Sequence, residues 1–299
     1  MNGINLKDWR RTLLEQNYKP ISEILDLYKR KNILILRDGG DNLGASLAAR
    51  EMAIHKGIIY KTPGWAIYKK GRYGGIIGRP VTGIEDFKDV FAELLKVKPD
   101  HLKVVLTGLV DFSSYGQVGG VSFSYEELYY IVQTAKEKEL PVMVHANSSE
   151  AVKMAIEAGA DTIEHGYFIN DEVLHMLAEK DVIWVPTLSP FGNIIENDEL
   201  KHKYQSQIQN IKRAYNQQLE TVKKAVELGV KIAIGSDAGA IGVYHSQGFF
   251  DEVKHIKRCG ITENQVLKMA FENGLKALNI KPSELKLLEK SIHQNNKEF

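Results

Sequence analysis

The chain has 299 residues, of which 43% are hydrophobic, and it carries 39 Lys and Arg against 38 Asp and Glu, a net charge of +1. This length supports one large core, and the balanced charge gives no sign of a nucleic-acid surface or an acidic tail. No stretch approaches 18 apolar residues, the N-terminus lacks a signal-peptide core, and the one cysteine, Cys259, excludes an intramolecular disulfide. We therefore expect a soluble cytoplasmic protein with no membrane partner.

The chain opens with an amphipathic stretch, Met1–Arg30, which predicts helix and holds no strand. Short apolar runs rich in Ile and Val then alternate with longer helical patterns, as expected for buried parallel strands. The predicted strands are Asn32–Arg37, Gly57–Tyr60, Leu102–Leu106, Val142–His145, Thr162–His165, Val182–Pro186 and Lys231–Gly235. The predicted helices are Ser46–His55, Ile84–Lys96, Tyr125–Glu139, Ser149–Glu157, Asp171–Glu179, Asn210–Leu228, Phe249–Arg258 and Glu263–Leu278. Ser124 and Thr262 are placed to cap two of these helices.

Strict alternation of strand and helix implies βαβ units and a parallel sheet. The Gly-rich stretch Gly71–Gly83 lacks the Lys-Ser/Thr ending of a phosphate-binding loop, so we interpret it as a loop on the active-site face. The tail Pro282–Phe299 is polar and helical. We predict one α/β domain over residues 1–299, a TIM-like (β/α)8 barrel with seven of its eight strands, the first one missing, and no β-sandwich domain.

Polar side chains stand where three predicted strands end. His145 and His165 close two consecutive strands, and Asp237 follows the last strand in a Gly-Ser-Asp sequence. The carboxyl ends of barrel strands lie on one face, so these side chains should converge there. A lone His or Asp at such a position is more often a rim or cap residue. The joint pattern favours a metal site, since imidazole and carboxylate are ordinary zinc ligands.

The segments that carry these residues resemble the amidohydrolase superfamily. VMVHANS (142–148), TIEHGY (162–167) and AIGSDAG (233–239) are similar to its fifth, sixth and eighth strand motifs, and LKVVLTG (102–108) to its fourth. LRDGG (36–40), VPTL (185–188) and ENGLKAL (272–278) are similar to the imidazolonepropionase and prolidase-like branch. The resemblance covers about residues 32–280 and implies hydrolysis of a carbon–nitrogen bond in an amide, a cyclic amide or a dipeptide-like small molecule.

The resemblance also implies roles for individual residues. Lys103 would be carboxylated and bridge divalent metals, His145 and His165 would bind the second metal, and Asp237 would bind the first metal and act as general base. Zinc is the expected metal. The alternative for Lys103 is a lysine that reaches solvent or pairs with a carboxylate. Weaker candidates for contacting substrate are His245, Tyr167 and Arg37, each of which has loop or packing as its alternative.

One family motif is absent. The family's first strand ends in His-x-His and supplies two ligands, whereas this chain has no His before His55. A single metal held by Lys103, His145 and His165 is therefore expected rather than two, and a homo-oligomer or the Met1–Arg30 segment would have to cover the open seam. Two functions remain: a metal-dependent hydrolase that activates water, or a catalytically impaired or non-catalytic barrel that serves as a binding protein.

Overall fold

The computed structural model describes the backbone of residues 6–295 and the side chains of residues 7–289; the predictions for the extreme termini lie outside those residues. The strands are β1 Ile35–Arg37, β2 Ile59–Lys61, β3 Ala66–Lys69, β4 Gly78–Val81, β5 Leu102–Val105, β6 Val142–Ala146, β7 Thr162–His165 and β8 Ile183–Val185.

The longer helices are α1 Leu6–Leu14, α2 Lys19–Arg30, α3 Ala45–Lys56, α4 Ile84–Lys96, α5 Tyr125–Lys136, α6 Ser149–Ala158, α7 Asp171–Glu179, α8 Ser189–Glu196, α10 Ile208–Glu227, α11 Gln247–Lys257 and α14 Pro282–Asn295. The shorter ones are α9 Asp198–Lys203, α12 Glu263–Leu267 and α13 Asn273–Ala277, with a π-helical turn Lys268–Glu272 between the last two. Both predicted caps are confirmed: Ser124 and Thr262 each form a capping box with the residue three positions on.

Six strands form one parallel sheet in the order β4-β3-β5-β6-β7-β8, and β1 and β2 form a separate parallel pair. The predicted α/β class with a parallel sheet is thus confirmed. One row of paired, fully buried side chains crosses the larger sheet: Val104, Val144, Ile163 and Trp184. It belongs to the core cluster that also contains side chains of the flanking helices. Because side chains alternate along a strand, the next row, Val105, His145, Glu164 and Val185, lies on the other face.

The predicted loop Gly71–Gly83 was wrong in part, because β4 lies within it and pairs with β3, which the sequence analysis also missed. Gly78 permits this pairing, since a β-carbon there would lie 2.3 Å from the carbonyl oxygen of Ala66. The sheet stops at β4, where Arg79 and Pro80 are exposed.

The predicted last strand, Lys231–Gly235, was also wrong as a regular strand. The segment makes one parallel bridge to β8, in which Trp184 donates to the carbonyl of Lys231 (2.8 Å) and accepts from Ala233 (3.0 Å). A barrel with one missing strand was predicted, whereas the strands of residues 6–295 form two separate sheets that do not close into a barrel. Beyond the bridge the chain enters the loop that carries Asp237.

Helix α2 packs against that loop. The hydroxyl of Tyr28 is hydrogen-bonded with Nδ1 of His245 (3.0 Å), Lys31 donates to Gln247 (2.6 Å), and Ser246 donates to the carbonyl of Leu27 (3.2 Å). The N-terminal segment therefore holds the loop that follows the last sheet segment. None of the helices within residues 6–295 is both long enough and apolar enough to cross a bilayer.

Candidate active site

His145 and His165 come together at the carboxyl ends of β6 and β7. Their ring centroids lie 4.5 Å apart, with an angle of 67° between the ring planes. Burial, and then the positive charge of Lys103, lowers the pKa of His145 to about 3. Burial, with smaller effects of His145 and Lys103, also places the pKa of His165 well below its usual value. Both imidazoles are therefore neutral at physiological pH and keep a lone pair for a ligand.

Hydrogen bonds occupy one nitrogen of each ring. Nε2 of His145 lies 3.3 Å from the carbonyl oxygen of Gly108, and Nδ1 of His165 lies 2.8 Å from Oγ1 of Thr187. Asn147 supports this corner, because its amide oxygen accepts from the backbone N–H of Tyr167 (3.2 Å). In these hydrogen bonds Nδ1 of His145 and Nε2 of His165 are not used, which leaves those two nitrogens for a metal or a substrate.

Lys103 lies in the middle of β5 and is 3% exposed. Its pKa is lowered to about 8, mainly because burial disfavours the ammonium form; Glu164 opposes this shift, and Arg37 adds to it. No hydrogen bond or ion pair to the Lys103 amine is found among the side chains of residues 7–289. The side chain is thus a buried amine with an enlarged neutral fraction near neutral pH.

Asp237 lies in the loop after the Lys231–Gly235 segment, in the left-handed region at φ 57°. The residue is exposed, yet the protein around its carboxylate limits hydration and raises the pKa to about 6; Lys103 opposes the rise, and Glu164 adds to it. The charges of Lys103 and Glu164 both act on Asp237, so its carboxylate lies in the same region as these side chains. No group of three His, Cys, Asp or Glu in the described part of the chain has metal-binding geometry. The structure therefore brings the two histidines into contact, and the role of Asp237 as a metal ligand stays a prediction.

The side chain of Arg37 is buried in an ion pair, and its contact with a substrate stays a prediction. Its guanidinium donates to Oε1 of Glu164 (2.9 Å) and to the carbonyl of Ala277 (2.7 Å), and the two paired side chains are only 7% and 5% exposed. Thr162 donates to the same carboxylate oxygen (2.6 Å). The pair links β1 to β7, the strand that carries His165.

The other two weak candidates are also held by protein contacts. Tyr167 is 3% exposed, donates to the carbonyl of Thr187 (2.7 Å) and stacks on Phe191 with centroids 4.3 Å apart. His245 is half-buried against Tyr28 of α2. Both side chains pack around the rim, and their contact with a substrate stays a prediction.

Two buried acids were missed from the sequence. Glu164 pairs in register with His145, so it lies on the same face of the sheet, and its alternation with Ile163 was the signal available. Glu252 lies on α11, is fully buried and accepts hydrogen bonds from Leu188 and Ser189. Nothing in its helical pattern distinguishes it from a surface acid. Tyr73, whose ring lies 5.7 Å from that of His145, was missed as well.

Two surface depressions lie away from these residues. One of about 510 Å³ lies between α7 and α10, and one of about 420 Å³ lies between α10 and the segment around Cys259. Neither is lined by Lys103, His145, His165 or Asp237. The convergence of titratable side chains, not the depth of a cleft, therefore identifies the candidate site.

Comparison with known proteins assigns the family. The sequence profile of the amidohydrolase family matches residues 65–285, which is most of the chain and includes all four candidate residues. The chain therefore belongs to the amidohydrolase family, as its strand-end motifs predicted.

Individual relatives agree with this assignment. An ochratoxinase of Aspergillus niger is 25% identical over 247 residues, or 79% of this chain and 49% of the relative. An uncharacterized protein of Mycobacterium tuberculosis is 29% identical over 156 residues, or 52% of this chain and 42% of that protein. The chain thus spans about half the length of the curated relatives it matches.

Solved structures show the same fold. A Xaa-Pro dipeptidase with methionine bound in its active site has a TM-score of 0.74 at 25% identity, over 89% of this chain and 69% of that one. The A. niger ochratoxinase structure has a TM-score of 0.71 at 19% identity, over 87% of this chain and 64% of that one.

Proposed function

We propose that this chain hydrolyses a carbon–nitrogen bond in a small amide or dipeptide-like substrate at the site formed by Lys103, His145, His165 and Asp237. The observation that carries the proposal is the contact between two neutral imidazoles at neighbouring strand ends, within the electrostatic influence of a buried lysine. Family membership supplies the reaction type, and the likeness to a Xaa-Pro dipeptidase supplies the substrate class.

The side chains fit one divalent metal better than two. Nδ1 of His145 and Nε2 of His165 are available as ligands, and a carboxylated Lys103 would supply an oxygen as the third. We propose no second metal, because the described residues hold no preformed group of three His, Cys, Asp or Glu with metal-binding geometry. A bound metal, expected to be zinc, would lower the pKa of a coordinated water towards neutrality and polarise the substrate carbonyl.

Lys103 has the properties that carboxylation requires. The neutral amine attacks the carbon of CO₂ and a nitrogen–carbon bond forms, while one C=O π bond opens and its electron pair moves to oxygen. The nitrogen then loses a proton to solvent, which leaves a carbamate anion. With a pKa of about 8, roughly one lysine in ten is neutral at pH 7, far more than for an exposed lysine. The product is an anion, which the nearby positive charge of Arg37 would stabilise and the nearby carboxylate of Glu164 would oppose.

Asp237 has the properties of a general base. A pKa of about 6 keeps the carboxylate mostly ionised at neutral pH while leaving it basic enough to accept a proton from water. The same proton can then pass to the leaving amine, which completes cleavage of the amide.

The test is a panel of Xaa-Pro dipeptides, N-acyl amino acids and cyclic amides, assayed after chelation and with Zn²⁺ or Mn²⁺ restored. We expect hydrolysis to require metal and Asp237→Asn to lower kcat/KM about 10²-fold or more. Asp181→Asn is the matched control, because Asp181 is a surface acid with an 82% exposed side chain. Hydrolysis that ignores both the metal and Asp237 would contradict the mechanism.

A binding function without catalysis is the second candidate, and two observations favour it. Among the described residues, no three His, Cys, Asp or Glu side chains are arranged to hold a metal ion, and the strands do not close into a barrel. A non-catalytic protein would bind an amide or dipeptide, detectable by calorimetry, without turnover of any panel member in the presence of metal.

A further inference from the structure

Thr187, which follows β8 by two positions, has an unusual backbone. It is 3% exposed and lies in the left-handed region at φ 50°. A β-branched residue is strained there, so the surrounding structure must enforce the conformation. Backbone strain of this kind is found most often at functional sites, where it holds a side chain in one fixed orientation.

The side chain of Thr187 is hydrogen-bonded with the ring of His165. Its Oγ1 lies 2.8 Å from Nδ1 of the ring, while the hydroxyl of Tyr167 donates to its carbonyl (2.7 Å). The backbone of His165 is fixed separately: Trp184 (3.0 Å) and Gln218 (2.8 Å) both donate to its carbonyl. With the backbone held, the bond to Thr187 sets the rotation of the imidazole.

Glu252 holds the peptide groups that follow Thr187. One carboxylate oxygen accepts from the N–H of Leu188 (2.8 Å), and the other accepts from both the N–H and the hydroxyl of Ser189 (2.7 Å each). Glu252 is 0% exposed and reaches these groups from α11. A buried carboxylate that accepts three hydrogen bonds at the start of α8 is a rigid anchor.

We infer that Thr187 and Glu252 are positioning residues, which fix His165 as the tautomer with its proton on Nδ1 and its lone pair on Nε2. Nδ1–H then donates to Thr187 Oγ1, and Nε2 faces the site. A hydrogen bond from the second nitrogen commonly orients an imidazole that binds a metal. The inference rests on the proposed function only in taking Nε2 as the atom that binds the metal. The tautomer is present in the metal-free chain and does not depend on that function.

The test reads the tautomer directly. The full chain, labelled with ¹⁵N-histidine and treated with chelator, is examined by long-range ¹H–¹⁵N correlation NMR, with His165→Gln assigning the ring signals. We expect protonated Nδ1 and unprotonated Nε2 in the parent and in Thr187→Ser. Thr187→Val and Glu252→Gln should lose that preference. Thr134→Val and Asp161→Asn are matched controls, because the first removes and the second weakens a similar bond to backbone elsewhere.

Zinc affinity, measured by competition with a chelator, is the second readout. We expect Thr187→Val and Glu252→Gln to weaken zinc binding about 10- to 100-fold and Thr187→Ser to restore it. If Glu252→Gln prevents folding, Ser189→Ala, which removes one of the three bonds to Glu252, replaces it. An Nε2–H tautomer in the parent, or unchanged tautomer and affinity in folded variants of both positions, overturns the inference. A parent that binds no zinc but shows the Nδ1–H tautomer contradicts the proposed function alone.

Discussion

The buried pair between Arg37 and Glu164 gives the sharpest stability prediction. Arg37→Met removes the 2.9 Å ion pair and the 2.7 Å bond to Ala277, and it leaves Glu164 buried with only Thr162 as a direct partner. Removing one member of a buried pair costs about 3–5 kcal/mol. The nearby charge of Lys103 offsets part of this loss, so we expect the free energy of unfolding to fall by about 3 kcal/mol.

Urea unfolding, followed by tryptophan fluorescence and by circular dichroism, measures this change. Arg11→Met is the matched control: its ion pair with Asp8 has a 67% exposed arginine, and its loss should cost less than about 1 kcal/mol. Arg37→Met/Glu164→Met removes both charges and should recover at least about 1 kcal/mol relative to the single variant. The reasoning would be refuted if Arg37→Met lowered the free energy of unfolding no more than the control does. It would also be refuted if the double variant lost the sum of what the two single variants lose.

Three further predictions follow from the same contacts. Lys103 binds its proton less tightly in the folded state than in the unfolded state, because its pKa is lowered to about 8. In CO₂-free, metal-free buffer, the free energy of unfolding of the parent relative to Lys103→Met should therefore rise by about 2 kcal/mol from pH 7 to pH 9.5. A difference in urea midpoints that does not change with pH would contradict the lowered pKa. Ser124→Ala should cost about 1 kcal/mol in thermal unfolding by removing the cap of α5, and no change in melting temperature would count against it. Gly192→Ala places a β-carbon 2.3 Å from the ring of His255 and should cost about 1–3 kcal/mol, whereas Gly274→Ala, with nothing closer than 3.7 Å, should not destabilise.

The helices were predictable because their apolar spacing and caps are local. Ile84–Lys96 and Asp171–Glu179 begin and end where the periodicity placed them. The strand pair β3 and β4 was not predictable in this way, since its glycines are typical of loops and only the pairing reveals why Gly78 is needed. Lys231–Gly235 has a strand's composition, but a regular strand also needs strand partners. Within residues 6–295 this segment makes one β-bridge, between Ile232 and Trp184 of β8.

In the candidate site, too, some residues could be predicted from the sequence and others could not. His145 and His165 were predictable because parallel strands bring their ends together, and the structure places their rings in contact. Asp237 lies in a loop, and no periodicity describes the course of that loop, so its position relative to the histidines was not predictable. Arg37 was assigned to the rim from its neighbourhood in the sequence, whereas its bonds to Glu164 and Ala277 come from segments far along the chain.

The exposed end of the larger sheet at β4 bears on how this protein behaves at high concentration. An open sheet presents a row of backbone donors and acceptors to any other extended chain. At β4 that row contains Pro80, which has no N–H to donate, beside the charged and exposed Arg79. We expect this border to resist the addition of foreign strands. An unclosed parallel sheet can thus persist without recruiting neighbouring molecules into fibres.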